Sequence, residues 1–205
     1  MPNNVKNILT FEGSQLAIDE LFKAIEGINV GRHMDIDFNK IIPMPEDLNV
    51  KDCCMYDLAI QLFCADDDER QSIQKSKGMS DKCMEDYIKL GRVYAKNKLR
   101  YGSCTWYDWC VKNWGTKWNA YEIKRFGNTL IFETAWSAPV PIIKRISEMF
   151  PTINILHRFA DEDIGQNCGY YMWRNGDITS TLKMDDEAAE EFALDVWNFG
   201  MGERT

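Results

Sequence analysis

Histidine is nearly missing: His33 and His157 are the only two in 205 residues. A histidine-based catalytic triad or a multi-histidine metal centre therefore has almost no material. Also missing are the phosphate cradle G-x-x-x-x-G-K-[ST], the nucleophile elbow G-x-S-x-G, the zinc motif H-E-x-x-H and a G-x-G-x-x-G turn after a strand. Their absence removes the commonest nucleotide-hydrolysing, serine-hydrolase, zinc-protease and dinucleotide-binding classes. No apolar run approaches the roughly 18 residues of a membrane span, so no membrane partner is expected. The opening MPNNVKNILTFEG has no basic stretch leading into an apolar one, so no secretion signal is expected either.

The seven cysteines (53, 54, 64, 83, 104, 110 and 168) include no C-x-x-C pair. Free buried thiols of a reducing compartment are the plain reading, with no zinc site. The loop Asp161-Glu162-Asp163-Ile164-Gly165-Gln166-Asn167 is rich in oxygen ligands, but it lacks the spacing and the distal glutamate of an EF-hand. It reads as a polar connection. Neither a metal nor a cofactor is expected.

What is present points to a packed domain. Apolar residues make up 45% of the chain, and the net charge is −8. That balance disfavours broad contact with DNA or an anionic membrane. Val5 to Glu12 reads as a strand. Ser14 caps a helix whose apolar positions are Ala17, Ile18, Leu21, Phe22 and Ile25, with Gly27 as its stop. Alternation of Ile36 and Phe38 with polar neighbours predicts a second strand over Met34 to Ile42, closed by Pro43 and Pro45. From Asp47 to Lys112 strand signals fade, and amphipathic segments follow near 52–65, 80–99 and 105–114. Asp66-Asp67-Asp68-Glu69 between the first two reads as a solvated loop or a helix start.

Strands resume at Trp118–Phe126 and Leu130–Trp136. Ser137 is the expected cap of the next helix, with Pro139 and Pro141 in its first turn and Ile142, Ile146, Met149 and Phe150 as its stripe. A strand over Ile153–Phe159 follows. Asn175-Gly176 then joins two strands as a hairpin, and Asp185 opens a last helix that carries Phe192, Ala193, Val196 and Trp197. This order predicts one α+β domain, a ferredoxin-like sandwich with an antiparallel sheet and helices on one face. Residues 1–46 form its first β-α-β half and 47–113 a helical insertion. Residues 114–205 form the second half, with a C-terminal hairpin and helix. "Ferredoxin-like" describes a topology and implies no iron–sulfur cluster.

Trp114-Gly115-Thr116-Lys117-Trp118-Asn119-Ala120, Phe132-Glu133-Thr134-Ala135-Trp136-Ser137-Ala138-Pro139 and Phe150-Pro151 together resemble the YubB-like family. The N-terminal segment running into Ile42-Pro43-Met44-Pro45 fits the same family. It is a family of unknown function, carried largely by phages and plasmids, with a ferredoxin-like C-terminal domain. The resemblance implies that fold and a mobile-element setting, hence the cytoplasm of a host cell. It brings no activity, cofactor or catalytic residue with it.

Two stretches qualify as binding surfaces. Trp114, Lys117, Trp118, Asn119 and Trp136 read as sheet-core aromatics with their neighbours, or as an exposed platform for a base, a nucleotide or a protein hot spot. Lys89, Arg92, Lys96, Lys98 and Arg100, interleaved with Tyr94 and Tyr101, carry no acid among them. They read as a solvated helix face or as a nucleic-acid footprint. Glu133 stands mid-strand, expected to face Lys117 or Lys124, and His157 reads as a core histidine. The function expected from these features is non-enzymatic binding of a host macromolecule, most simply a host protein such as a defence component. Nucleic-acid or nucleotide binding is the alternative.

Overall fold

A computed structural model describes residues 3–29, 31–52 and 55–200. The chain divides into two compact units. One is built from residues up to Pro43 and from Cys110 onward, the other from Met44–Trp109.

The first unit is organised around β1 (Asn4–Glu12), the apolar strand at the middle of a six-stranded sheet. After β1 come α1 (Gln15–Ile25), a small hairpin of β2 (Gly27–Asn29) and β3 (Arg32–Met34), and α2 (Phe38–Ile41). Beyond the second unit, the chain adds β4 (Tyr121–Phe126), β5 (Thr129–Ala135), α7 (Val140–Met149), β6 (Asn154–Asp161), β7 (Gly169–Arg174), β8 (Asp177–Thr181) and α8 (Asp186–Asn198). The sheet order is β4-β5-β1-β6-β7-β8, and every pair is antiparallel. The series β1-α1-β4-β5-α7-β6, with β1 between β5 and β6, is the ferredoxin-like arrangement.

The strand expected over Met34–Ile42 does not form; its place in the fold is taken by β4. Asp37 instead caps α2, its carboxylate accepting from the Asn39 N–H at 3.0 Å. Phe38 and Ile41, three residues apart, are both buried, so the helical period overrides the apparent alternation. Gly27 does not stop α1 but opens β2. A Cβ at Gly27 would lie 2.5 Å from the Cβ of Asp37, so this close approach selects glycine.

Alternation along β1 sorts the two faces of the sheet. Val5, Leu9 and Phe11 share a face with Phe132, Ile155 and Phe159. On that side Phe11 meets Phe22 of α1 edge-on at 5.3 Å, and Val140 of α7 packs with Val5 and Phe159. Ile8 and Ile131 point to the opposite face, where Ala193 and Val196 of α8 cover them. Both faces at the centre of the sheet are therefore dry. The β7–β8 turn has Asn175 at φ 50° and Gly176 at φ 82°, the paired positive values of a type I′ turn. Ser14 and Asp185 cap α1 and α8 as expected. Ser137 does not cap α7: Pro139 holds the N-cap position, and the Ser137 hydroxyl donates to the Gly115 carbonyl.

The second unit contains α3 (Tyr56–Cys64), α4 (Asp67–Lys77), α5 (Asp81–Tyr101) and the first part of α6 (Trp106–Trp114). The acid run is a helix start. Asp66 accepts from the Glu69 N–H, and Asp67, Asp68 and Glu69 occupy the first turn of α4, where negative charge meets the positive end of the helix. Helices α3 and α5 touch so closely that a Cβ on Gly91 would lie 1.8 Å from the Ala59 carbonyl oxygen. Among the described residues, no helix is long and apolar enough to cross a membrane.

Candidate recognition site

The tryptophans separate into buried and exposed. Trp114 is 3% exposed. Its indole N–H donates to the Ile42 carbonyl at 2.9 Å, and its ring meets Phe38 edge-on. Trp173 is also buried. Trp118 and Trp136 are 37% and 42% exposed, and the Lys117 ammonium lies 4.6 Å and 4.8 Å from their ring centroids. The exposed platform is thus two indoles bracketing one cation, and Trp114 belongs to the core beneath.

Each of the three residues is fixed by its neighbours. Thr116 is buried and donates its hydroxyl to the Ala135 carbonyl at 2.8 Å. Gly115 has φ +79°, and a Cβ there would lie 2.8 Å from Pro141 Cδ. On the other side of Lys117-Trp118, Asn119 ties the loop to α2. Its side-chain oxygen accepts from the Phe38 N–H at 2.9 Å, and its amide donates to Asp37 at 2.8 Å. These bonds make Asn119 an anchor of the loop.

Trp136 has φ +70°, a left-handed conformation that is a true outlier for a bulky side chain. Its N–H donates to the Asn3 carbonyl at 2.9 Å, and its carbonyl accepts from the Asn167 amide at 3.1 Å. The backbone is clamped on both sides, and the residue keeps 42% of its surface exposed. Strain of this kind is retained where the surroundings over-determine it, and such sites cluster at ligand clamps.

In the second unit the basic residues are less available than their spacing suggests. Tyr94 is fully buried, donating its hydroxyl to the Lys51 carbonyl at 2.7 Å and meeting Tyr56 edge-on. It is a core residue and no part of a binding face. Lys96 and Arg100 both lie near Asp47, at 3.9 Å and 3.2 Å, and Lys89 lies 3.8 Å from Glu85. The Tyr101 hydroxyl donates to Asp47 at 2.9 Å. Desolvation, with the Asp47 hydrogen bond next, holds the Tyr101 pKa above its ordinary value. Lys89, Arg92, Lys96 and Arg100 recur at spacings of three and four along α5 and so share one stripe. Lys98 lies beside Asp57, Ile60 and Leu99.

Glu133 faces Lys6 across the β1–β5 ladder and Tyr121 across the β4–β5 ladder. Its expected partner Lys124 also acts on it. Burial first, then the Glu122 charge, raise the Glu133 pKa against the opposing pull of Lys6. Burial first, then the charges of Glu133, Glu162 and Glu122, push the Tyr121 phenol up to about 12. The small cleft here is lined by Lys6, Glu122, Lys124, Glu133 and Trp197. The Lys6–Glu133 pairing was missed in sequence, since nothing local marks Lys6.

Residues 113–200 match the family model of the ferredoxin-like domain in Api92-like protein. This match and the strand order agree on the fold. Among solved structures, the crystal structure of protein Api92 from Yersinia pseudotuberculosis is similar at 13% identity. The alignment covers 90% of this chain and 99% of that one, with a TM-score of 0.42. No curated protein matches the chain. Lys117, Trp118 and Trp136 lie inside the matched ferredoxin-like segment. Among the described residues, no group of three His, Cys, Asp or Glu is placed to hold a metal.

Proposed function

We propose that the chain is a non-enzymatic accessory protein of a phage or other mobile element that acts in the host cytoplasm. It binds a host protein, a defence component being the simplest case, through Trp118, Lys117 and Trp136. The observation that carries this reading is Trp136. Its left-handed backbone is held by Asn3 and Asn167, yet the residue is 42% exposed. Strain at a residue that stays so exposed favours a role in contact over a role in folding. The resemblance to the YubB-like family supplies the mobile-element setting. In capture from host lysate, wild-type protein retains a partner that the Trp118→Ala/Trp136→Ala double variant loses. Identical capture profiles from the two proteins refute the reading.

Nucleic-acid binding by the second unit is the other reading, favoured by the stripe of Lys89, Arg92, Lys96 and Arg100 on α5. Asp47 and Glu85 offset much of that charge. Single-stranded oligonucleotide binding that weakens steeply with salt, and that fades when the four residues become glutamine, supports it. An absent or salt-insensitive signal removes it. The sheet itself does not favour RNA binding through central aromatics, because Phe132, Phe159 and Trp173 are buried.

A further inference from the structure

We infer that the cleft where β4 and β5 meet the end of α8 takes the head of one basic side chain, a guanidinium or ammonium group that donates to Glu133. The observation that carries this is what Glu133 lacks. Directly opposite it on β1, the Lys6 ammonium directs its hydrogen bonds to the carbonyls of Trp197 and Phe199, at 2.9 Å and 2.8 Å. Lys6 and Lys124 act on Glu133 through space, and among the described residues no hydrogen bond or ion pair reaches its carboxylate. A half-buried carboxylate without a donor is costly. A donor arriving from outside removes that cost, and a positive one removes the most.

A second carboxylate is brought to the cleft by a break in the strand. Between Tyr121 and Lys124 the β4–β5 register slips by one residue, and Glu122 takes φ +49°. Side chains alternate along a regular strand, so Glu122 would otherwise point away from the face that Tyr121 shares with Glu133. The bulge re-aims it. It lines the cleft with Lys6, Lys124, Glu133 and Trp197. A left-handed glutamate is strained, and such strain persists where the surroundings hold it, ligand clamps among them.

Charge and size select the occupant. Three carboxylates, Glu122, Glu133 and Glu162, stand against two ammonium groups, Lys6 and Lys124, so one positive charge completes the balance. An anion is repelled. Among the described residues, no third His, Cys, Asp or Glu joins Glu122 and Glu133 to hold a metal. The cleft has a volume of about 110 Å³, well below the roughly 300–1,000 Å³ of a pocket for a drug-sized ligand. It has room for a side-chain head and not for a nucleotide. The Trp197 ring, fixed by its N–H bond to the Asp161 carbonyl at 2.8 Å, supplies an aromatic wall that suits a cation.

The test follows the Trp197 indole N–H resonance in the full chain, assigned with Trp197→Phe, and the titration of the Glu133 carboxyl carbon by NMR. The probes are N-acetyl-arginine methylamide and its lysine, citrulline and glutamate counterparts. Each is run on wild type and on Arg204→Gln, which removes the last basic residue of the chain as a competitor. The arginine or lysine probe is expected to shift the resonance saturably, with at least about tenfold higher affinity than the neutral citrulline probe. It is also expected to lower the Glu133 pKa, since a nearby cation favours the charged form. Glu133→Gln is expected to abolish the preference and Glu122→Gln to weaken it, both with the far-UV spectrum of wild type. Equal affinity for citrulline, a stronger response to glutamate, or silence toward all four probes in both backgrounds overturns the cation site. A preference for arginine or lysine that survives in Glu133→Gln places the cation elsewhere and overturns it too.

Discussion

The Lys6 ammonium on β1 donates to the main-chain carbonyl of Trp197 on α8 at 2.9 Å, and to that of Phe199 at 2.8 Å. The last carbonyls of a helix have no partner inside it, and a cation there also meets the negative end of the dipole. Lys6 is only 7% exposed, so it is a buried cap that ties α8 to the sheet. Lys6→Met is expected to lower stability by about 1.5–3 kcal/mol, the range for a hydrogen bond to a charged group, with a red shift in tryptophan emission as Trp197 loosens. Urea denaturation followed by fluorescence checks both. Burial lowers the Lys6 pKa, with Glu133 opposing and Lys124 assisting. Between that lowered value and 10.5 the unfolded chain holds more protons, so this contribution makes stability rise with pH across that window. The methionine variant lacks the rise.

His157 is buried neutral. Its Nε2–H donates to Asn7 Oδ1 at 3.0 Å; the Asn7 amide is committed to the Val5 carbonyl and Thr134 Oγ1, which leaves its oxygen as the acceptor. Desolvation brings the His157 pKa down from 6.5 to about 3. The unfolded chain therefore takes up the proton first. Stability from this residue is complete above 6.5 and drains away as pH falls toward 3, by on the order of 5 kcal/mol in full. His157→Gln keeps a donor but does not titrate. Its urea midpoint is expected to fall less between those pH values than that of wild type, and parallel curves refute the assignment.

Gly91 is the tightest point of the second unit. A methyl group there meets the Ala59 carbonyl oxygen at 1.8 Å, and that carbonyl belongs to helix α3 rather than to a yielding side chain. Although alanine is a better helix former than glycine by roughly 1 kcal/mol, Gly91→Ala is expected to destabilise. Overpacking costs about 1–3 kcal/mol, and occasionally more. Reduced helical signal at 222 nm or a lowered melting temperature confirms it; a stabilised variant means that α3 and α5 do not pack this closely.

Local signals were legible. Ser14, Asp185 and Asn175-Gly176 act through neighbours within a few residues, and all three behave as the sequence predicts. Non-local choices were not. Ile36 and Phe38 alternate like a strand, but Asp37 bonds Asn119 far along the chain and the segment turns into α2. The strand that completes the first half of the ferredoxin-like core lies beyond the second unit, so no window around residue 40 contains it. The same limit hid the tie between Lys6 and Trp197, and it made Tyr94 look like part of a basic face when its ring fills a core. Lys117, Trp118 and Trp136 were identifiable as candidates by type. Their grouping around one ammonium depends on the clamp at Trp136, which no residue pattern encodes.

Trp136 offers the sharpest separation of function from stability. A residue needed for folding becomes harmful to lose, whereas a residue kept against its own backbone preference becomes harmless or helpful to lose. Glycine tolerates φ +70° at no steric cost. Trp136→Gly removes left-handed strain worth about 1–3 kcal/mol. It also gives up the covered part of the side chain and a cation–π contact worth about 0.5–1 kcal/mol at an exposed site, and it adds some freedom to the unfolded chain. These losses oppose the strain relief, so chemical denaturation is expected to place Trp136→Gly within about 2 kcal/mol of wild type. The same variant is expected to lose the captured partner. Loss of more than about 3 kcal/mol, in the range of an aromatic core truncation, means that the indole serves packing and removes the basis for a recognition surface at Lys117.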